Sequence, residues 1–334
     1  MEIEGKKIFI TGGFGFIGSH LVARYLKEGA SEVVVYDNMS TGNEDYLKGL
    51  DITFIKGDIL DYPHLLNSMK NCDIVSHHAA ELEVFNGIEN SVHESQVNIL
   101  GTLHVLNAAV KQDVKKILFA SSGAVYGQAQ ILPQPIDHPL NPHWPYGVSK
   151  LAGEKYCTQY SLLYGLNTVS FRYGIVFGPH EWYGRVLTLF IKRVLEGNAP
   201  VIFGSGEQRR DFVYVDDVVD CNILATYNDS FPNGKAYNVG GISHVNVKQI
   251  AEAVLETINP SIKPFYDDPE PGQDSKYQPG RKRLPGELID FILDNTETAK
   301  DLGYEPKVDL KKGLQKEVEW IKKNPSYWNY APRV

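Results

Sequence analysis

Two hydrophobic periodicities follow each other through the first half of the chain. Short β-type runs of apolar residues precede segments in which apolar residues recur every three or four positions. Strands are expected at residues 7–11, 32–36, 52–56, 73–77, 116–121 and 168–172. Helices are expected near residues 16–28, 62–70, 91–111 and 146–163. Strands that alternate with helices predict right-handed crossovers and a doubly wound parallel sheet.

The pattern becomes less regular after Gly178-Pro179. Helices are expected at residues 185–195, 216–227 and 309–323, with a strand at 236–239. Residues 263–287 are rich in Pro, Gly, Asp and Arg, which predicts a long surface loop. The aromatic tail at residues 327–330 is expected to pack on the body or on a partner.

Length and charge narrow the class of protein. The chain has 334 residues and a net charge of −8, so we expect two domains around a cleft and no nucleic-acid partner. Three scattered cysteines lack disulfide or metal spacing, and His77-His78 is expected to be structural rather than a metal site. Met1 does not open a signal peptide, and no apolar run approaches the ~18 residues of a membrane span. We expect a cytoplasmic protein without membrane contact.

A glycine ladder lies between the first predicted strand and helix. Gly12, Gly15 and Gly18 have the spacing of a dinucleotide-binding turn. One glycine permits the turn, one allows close approach of a pyrophosphate, and one allows the helix to pack near the strand. Phe16 and Ile17 open the helix at its positive end, where a pyrophosphate is expected to bind.

An acidic residue at the end of the second strand indicates which dinucleotide binds. Asp37 follows Gly18 by 19 positions, close to the ~20 expected for the acid that accepts from an adenosine ribose. A carboxylate there repels a 2′-phosphate and favours NAD over NADP, although Asp37 is also compatible with a simple turn before Asn38. Asp58 and Ile59 follow the third strand, where Asp58 is either an adenine acceptor or a solvated loop acid.

A phenol, an amine and a hydroxyl form the candidate catalytic group. Tyr146 and Lys150 stand at i and i+4, which places both on one face of a helix. A nearby lysine cation and an oxidised nicotinamide are expected to lower the pKa of Tyr146 and make it a base. Ser122 ends an apolar strand, where ligands bind in parallel sheets, and is expected to share the proton of the reacting hydroxyl.

These motifs and several others resemble the extended short-chain dehydrogenase/reductases, in particular the nucleotide-sugar epimerase/dehydratase group. The resemblance covers nearly the whole chain. It rests on residues 11–20, 36–38, 57–59, 77–80, 97–102, 121–127, 146–150, 171–179, 209–217 and 285–306. It implies a Rossmann-type α/β fold with bound NAD, a smaller mixed α/β C-terminal domain for a nucleotide-sugar, and a homodimer. The domains are expected at 1–174 plus about 213–240, and at about 175–212 plus 241–334.

The resemblance also assigns individual residues. Ala79 and Ala80 are implied to line the cofactor loop, with Asn98 in support, and Tyr173 to lie by the nicotinamide. The residues implied to bind the substrate are Ser122, Tyr146, Arg210 and Arg283, the two arginines at the diphosphate. Arg185 is a candidate by location, since a guanidinium near C6 of the sugar would favour a uronate.

The reaction type follows from what precedes Val125. Dehydratases and decarboxylases of this group resemble one another in carrying an acid there, whereas this chain has Ala124. The sequence therefore favours a C4 epimerase acting on a UDP-sugar, with decarboxylation, dehydration, 4-keto reduction or a non-catalytic NAD sensor as alternatives. Ile175 and Leu189 stand where many relatives have asparagine, which leaves the nucleotide and the sugar open. Residues 181–183 either stack on a ligand or cover the core.

Overall fold

The strands of the protein form one large sheet and two small ones. The computed structural model describes residues 2–182, 184–231 and 233–326. The strands are β1 Lys7–Thr11, β2 Glu32–Asp37, β3 Thr53–Lys56, β4 Ile74–His77, β5 Lys116–Ser122, β6 Asn167–Tyr173, β7 Ile175–Phe177, β8 Val201–Phe203, β9 Arg209–Tyr214, β10 Lys235–Val239, β11 Ser243–Asn246, β12 Phe265–Asp267 and β13 Asp290–Phe291.

Helices connect and cover these strands. They are α1 Phe16–Lys27, α2 Tyr62–Ser68, α3 Val84–Glu89, α4 Ser91–Ser95, α5 Gly101–Lys111, α6 Pro145–Tyr164, α7 Val186–Leu195, α8 Val215–Tyr227, α9 Val247–Ile258, α10 Thr296–Leu302 and α11 Leu310–Lys323. α6 begins at Pro145, whose missing N–H would have no partner in the first turn of a helix. It ends at Tyr164 and is capped by Gly165, which has φ +68°. No helix in the described part of the chain is long and apolar enough to cross a membrane.

The large sheet confirms the predicted doubly wound architecture. Its seven strands are parallel and lie in the order β10-β6-β5-β4-β1-β2-β3. Alternate residues face opposite layers: Ile8 and Ile10 pack in one hydrophobic core, and Phe9 packs in the other. The chain reverses its direction of winding between β1 and β4. Ligands of such sheets bind at the carboxyl ends of the strands next to this point.

The second half builds a separate small sheet beside the large one. β9 pairs antiparallel with β11 and parallel with β7 and β13, and β8 pairs with β12. β10 returns to the large sheet beside β6. The predicted boundary at residues 212/213 falls inside β9, and the division into two domains remains a prediction.

Three differences from the expected elements have local causes. The helix expected at 91–111 is interrupted by a π-helical turn, Gln96–Leu100, which carries Asn98. The loop expected at 263–287 includes β12, because Phe265–Asp267 finds a partner in β8. The pattern analysis missed α9, although Asn246 and Gln249 form a capping box that marks its start. Tyr183 and the aromatic tail at 327–330 lie outside the described residues.

Candidate functional site

The glycine ladder makes a tight turn that leaves the first turn of α1 free to receive a ligand. Gly12 has φ +70°, and a Cβ there would lie 2.8 Å from the Ala79 amide nitrogen. A Cβ on Gly18 would lie 2.1 Å from the Gly12 carbonyl oxygen, so only glycine lets α1 approach β1 this closely. Gly15 caps the helix with extended backbone and no side-chain capping bond. The amides of Phe16 and Ile17 follow at its positive end.

Asp37 lies at the carboxyl end of β2, next to this turn. Its two oxygens accept from the backbone amides of Phe14, at 3.0 Å, and Met39, at 2.8 Å. Burial raises the pKa of Asp37, while the two amide bonds oppose that change. Asn38 points to the next strand instead, because its Nδ2 donates to Asp58 at 2.9 Å.

Asp58 also holds the loop that follows β3. Asp58 accepts from the Leu60 amide at 2.9 Å with its other oxygen, and the Asp58 carbonyl accepts from the Tyr36 hydroxyl. Ile59 is buried, and a Cβ on Gly101 would lie 2.4 Å from its Cδ1. The structure thus gives Ile59 a packing contact with α5 and leaves the Asp58 carboxylate at the rim beside Asn38.

A chain of buried polar side chains joins the glycine turn to the loop after β4. Thr11 Oγ1 lies 2.7 Å from His77 Nδ1, and His77 Nε2 lies 3.0 Å from Thr102 Oγ1. Thr102 donates to the Asn98 carbonyl, and the Ala79 amide donates to Thr11 at 3.2 Å. Burial lowers the pKa of His77 well below its usual value, so the ring is neutral and structural. Sequence reasoning named Ala79 and Asn98 but missed Thr11 and Thr102.

The Asn98 side chain forms hydrogen bonds to two segments, one at Glu81 and one at Glu94. Its side-chain oxygen accepts from the Glu81 amide and its Nδ2 donates to the Glu81 carbonyl, both at 2.8 Å. The same Nδ2 donates to the buried carboxylate of Glu94. Ala80, half-buried, lies in the loop between β4 and Glu81. The π-helical turn is what directs Asn98 at this loop, because it shifts the helix register by one residue.

The three predicted catalytic residues converge at the carboxyl end of β5. Ser122 ends β5 and caps the short three-ten turn Gly123–Tyr126, accepting from the Ala124 amide at 3.1 Å. Ser122 also favours the ionised form of Tyr146, whose phenol lies near it. Lys150, one turn further along α6, has its Nζ 5.7 Å from the Tyr146 ring centroid and donates to the Ala120 carbonyl at 2.8 Å.

The charge state of this group differs from the expectation for Tyr146. Burial raises the pKa of Tyr146 to about 12, against opposing contributions from Ser122 and Arg185. Burial also lowers the pKa of Lys150 to about 8, which Glu94 opposes. The predicted lowering of the pKa of Tyr146 is not seen, because desolvation of the phenolate outweighs the charge of Arg185. The combined effect of Lys150 and an oxidised nicotinamide stays a prediction.

Glu94 is the residue of this site that sequence reasoning missed. It is buried, and its Oε2 accepts from Ser149 at 2.7 Å while Asn98 donates to Oε1. Its charge favours the protonated form of Lys150 and disfavours the phenolate of Tyr146. The sequence carried no signal for it, because Glu94 is buried only where α4 packs on α6.

Tyr173 ends β6 on the other side of Ser122. Its ring is buried and stacks at 13° on His78, with centroids 6.3 Å apart, and its hydroxyl accepts from Asn222 at 2.9 Å. The strand end is anchored by Arg172, which binds both carboxylate oxygens of Glu154 at 2.9 Å. This buried pair holds β6 and α6 together directly behind the catalytic residues.

The predicted substrate arginines lie in two groups. Arg185 precedes α7, donates to the Val176 carbonyl at 3.0 Å and lies 3.4 Å from Glu181. Its charge acts on Tyr146, so it belongs to the catalytic cleft. Arg210 and Arg283 converge elsewhere, on the two carboxylate oxygens of Glu287 at 3.6 and 3.7 Å.

The side chains next to Arg185 show in part whether residues 181–183 are free to stack on a ligand or cover the core. Glu181 is buried, and Trp182 lies under the Arg185 guanidinium with 5.1 Å from Cζ to the ring centroid. Ile175 opens β7 against the core, and Leu189 is buried in α7. Neither position offers a polar group to a ligand.

The residues present fit a bound NAD. Three features lie at the switch point of the sheet. They are the N-terminus of α1, the Asp37 carboxylate and a cradle that a Cβ at Gly12 or Gly18 would fill. Ser122, Tyr146 and Lys150 lie at the far end of the same edge. The described residues contain no cluster of His, Cys, Asp or Glu suited to a metal ion.

Comparison with known proteins agrees with this geometry. Residues 8–240 match the model of the NAD dependent epimerase/dehydratase family. A provisionally assigned UDP-glucose 4-epimerase of Methanocaldococcus jannaschii is 36% identical over 323 residues, 95% of this chain and 99% of that protein. The UDP-glucose 4-epimerase of Thermotoga maritima, solved with UDP-glucose, is 33% identical with a TM-score of 0.86, covering 96% and 99% of the two chains.

The cofactor is also seen in relatives. The UDP-glucose 4-epimerase of Thermus thermophilus, solved with NAD, is 32% identical with a TM-score of 0.82 and covers 95% of this chain and 99% of that one. Proteins with other activities are similar to a comparable degree. A UDP-N-acetyl-alpha-D-glucosaminuronate decarboxylase of Bacillus cytotoxicus is 31% identical over 327 residues, 95% of this chain and 98% of that protein.

Proposed function

Because the chain belongs to the NAD-dependent epimerase/dehydratase family and so modifies nucleotide-sugars with NAD, we propose that it is a 4-epimerase of UDP-sugars. The observation that carries the proposal is the make-up of the cleft around Tyr146. Residue 124 is alanine, in the turn that Ser122 caps. The acidic side chain whose charge acts on Tyr146 is Glu94, and both its oxygens are held by Ser149 and Asn98.

Ala124 gives the site no acid at the position where dehydratases and decarboxylases of the family carry one, so Tyr146 is left to move one proton. Dehydration and decarboxylation both need proton chemistry beyond C4, and a buried, fully bonded carboxylate cannot supply it. Tyr146, beside Ser122, takes the proton of the 4-hydroxyl and returns it to the oxygen at C4 after the 4-keto sugar has turned in the pocket. NAD, when bound, supplies the reversible hydride acceptor at C4 and is regenerated in each cycle. Lys150 offsets the charge that forms on Tyr146.

The alternatives differ in the product that they release. A dehydratase loses water, a decarboxylase loses carbon dioxide, and a 4-keto reductase consumes reduced cofactor. A non-catalytic NAD sensor has no use for Ser122 and Lys150 beside Tyr146. Relatives with the first two activities are as similar as several epimerases. The product, not the similarity, distinguishes them.

The test is incubation of the purified protein, without added cofactor, with UDP-hexoses, UDP-N-acetylhexosamines and UDP-uronates. We expect a new sugar of unchanged mass at a reversible equilibrium, detected by NMR and mass spectrometry. A product lighter by water or carbon dioxide would overturn the argument from Ala124. A reaction that requires added reduced cofactor would identify a reductase.

The outer face of α6 supports a second proposal, that the protein is a homodimer. Val148, Tyr156 and Leu163 are exposed at spacings of eight and seven residues, so they form one apolar stripe along the helix. Leu100 is also exposed, at the end of the π-helical turn that packs on α6. A second copy of the chain would bury such a stripe.

Light scattering after size exclusion tests the dimer. Leu163→Glu places a charge in the apolar stripe and is expected to give monomers, whereas Gln315→Glu on the exposed side of α11 serves as the control. A wild-type protein that elutes as a monomer, or a Leu163→Glu variant that stays dimeric, would contradict this interface.

A further inference from the structure

Two buried carboxyl groups lie behind the cleft, on segments that the catalytic residues do not use. Glu181 lies in the segment before α7 and Glu317 lies in α11, with 2% and 1% of their surfaces exposed. Within the described residues, Glu181 Oε2 and both oxygens of Glu317 have no hydrogen-bond donor. The two acids act on each other's ionisation, and two buried carboxylates without donors would be costly, so we infer that one of them carries a proton.

Arg185 is the cation beside this pair. Its guanidinium lies 3.4 Å from Glu181 Oε1, its side chain is 28% exposed, and its charge favours the ionised form of Tyr146. From the other elements, Tyr214 at the end of β9 interacts with Glu317, and Glu83 at the start of α3 interacts with Arg185. His180 precedes Glu181 in the chain. Burial lowers the pKa of His180 to about 3, so it is neutral. With one shared proton, the two acids and Arg185 together are uncharged.

We propose that Glu181 and Glu317 share one proton and form a positioning pair that holds Arg185 at the cleft, where it receives an anionic group of the substrate. The proposal rests on the proposed function for the identity of the substrate. Loss of the shared proton places a second negative charge next to Arg185. The guanidinium is then drawn towards the pair, and its field in the cleft is cancelled.

The raised pKa values of the two acids make the stability of the protein depend on pH. Burial raises the pKa of Glu181 to about 7 and raises that of Glu317 further above its ordinary value of 4.5. The folded state therefore binds more protons than the unfolded chain once the pH exceeds about 4.5. It follows that the free energy of unfolding contributed by the pair falls as the pH rises from about 4.5 through 7 and beyond.

The first experiment needs no substrate. Glu317→Gln keeps a neutral donor to Glu181 but cannot lose a proton, and Glu319→Gln removes a carboxylate from the exposed side of the same helix. We expect the difference in melting temperature between Glu317→Gln and the wild type to increase by at least ~3 °C, in favour of the variant, as the pH is raised from about 5 to 8.5. Glu319→Gln should follow the wild type. If the melting temperatures of Glu317→Gln and the wild type changed equally with pH, the shared proton would be overturned.

The second experiment measures binding. With UDP-glucuronate and UDP-glucose, the wild-type KM is expected to rise several-fold from neutral to alkaline pH, and that of Glu317→Gln to stay flat. A rise confined to UDP-glucuronate identifies the sugar carboxylate as the anion, and an equal rise for both identifies the diphosphate. A rise that persists in Glu317→Gln contradicts the positioning role.

A direct measurement covers the case in which the variant does not fold. The infrared carbonyl stretch of a protonated carboxyl group should persist in the wild-type protein at neutral pH, where exposed acids are ionised. Its absence would refute the shared proton whether or not the protein is an epimerase.

Discussion

Replacing Glu94 by glutamine removes a buried negative charge that favours the protonated form of Lys150. The pKa of Lys150 is lowered from 10.5 to about 8, which corresponds to about 3.4 kcal/mol against the charged form. An opposite charge at close range shifts a pKa by about one unit or more. In Glu94→Gln we therefore expect Lys150 to titrate near pH 7 or lower, while the amide still accepts from Ser149.

The consequence for activity follows from the protonated fraction of Lys150. At pH 7 it falls from about 90% to about 50%, and at pH 8 from about 50% to about 9%, for a change of one unit. Because charged Lys150 offsets the phenolate of Tyr146, kcat should fall roughly twofold at pH 7 and roughly fivefold at pH 8. The alkaline limb of the kcat profile should move by about one pH unit towards acid.

Glu89→Gln is the matched control, because Glu89 is an exposed acid of the preceding helix α3. Stability supplies a second readout. The folded pKa of Lys150 lies below the unfolded value, so the free energy of unfolding rises with pH between about 8 and 10.5. In Glu94→Gln this rise should begin about one pH unit lower. An alkaline limb that stays in place would show that Glu94 does not control Lys150.

Three further predictions concern other parts of the site. Tyr146→Phe should retain NAD but lose about 10²–10⁴ in single-turnover rate, and a fully active variant would remove Tyr146 from the mechanism. Asp37→Ala should lower the preference for NAD over NADP by about tenfold or more in titrations of both cofactors, since repulsion of the 2′-phosphate is lost; an unchanged preference would place selectivity elsewhere. Arg172→Met leaves Glu154 buried and unpaired, so denaturant unfolding should show a loss of about 3–5 kcal/mol, most of which Arg172→Met/Glu154→Leu recovers. A loss below about 1 kcal/mol would contradict the role of that pair.

Local patterns along the chain were sufficient to predict the large sheet. Alternating strand and helix periodicities, together with glycines at 12, 15 and 18, predict β1, the turn and α1 without any long-range information. Tyr146 and Lys150 share a helical face by spacing alone. The short strands of the second sheet carry no such signal, because each has two to six residues and pairs with segments distant in the chain.

The charge state of the site depended on the tertiary structure. The sequence indicates that a lysine lies near Tyr146, but only packing reveals that both groups are desolvated, so that the pKa of Tyr146 rises and that of Lys150 falls. Glu94, and likewise Glu181 with Glu317, read as ordinary surface acids in the sequence. Glu94 is buried where α4 packs on α6, and Glu317 is buried where α11 packs on α9 and β9.

Residue type and spacing along one element are thus set by the sequence itself, since a helix or strand brings near neighbours together by its own geometry. Burial is set by segments far apart in the chain, and burial decides the cost of each charge. The sequence alone therefore determined which chemistry is present in this protein. The tertiary structure decided which acids are buried and which cations lie beside them.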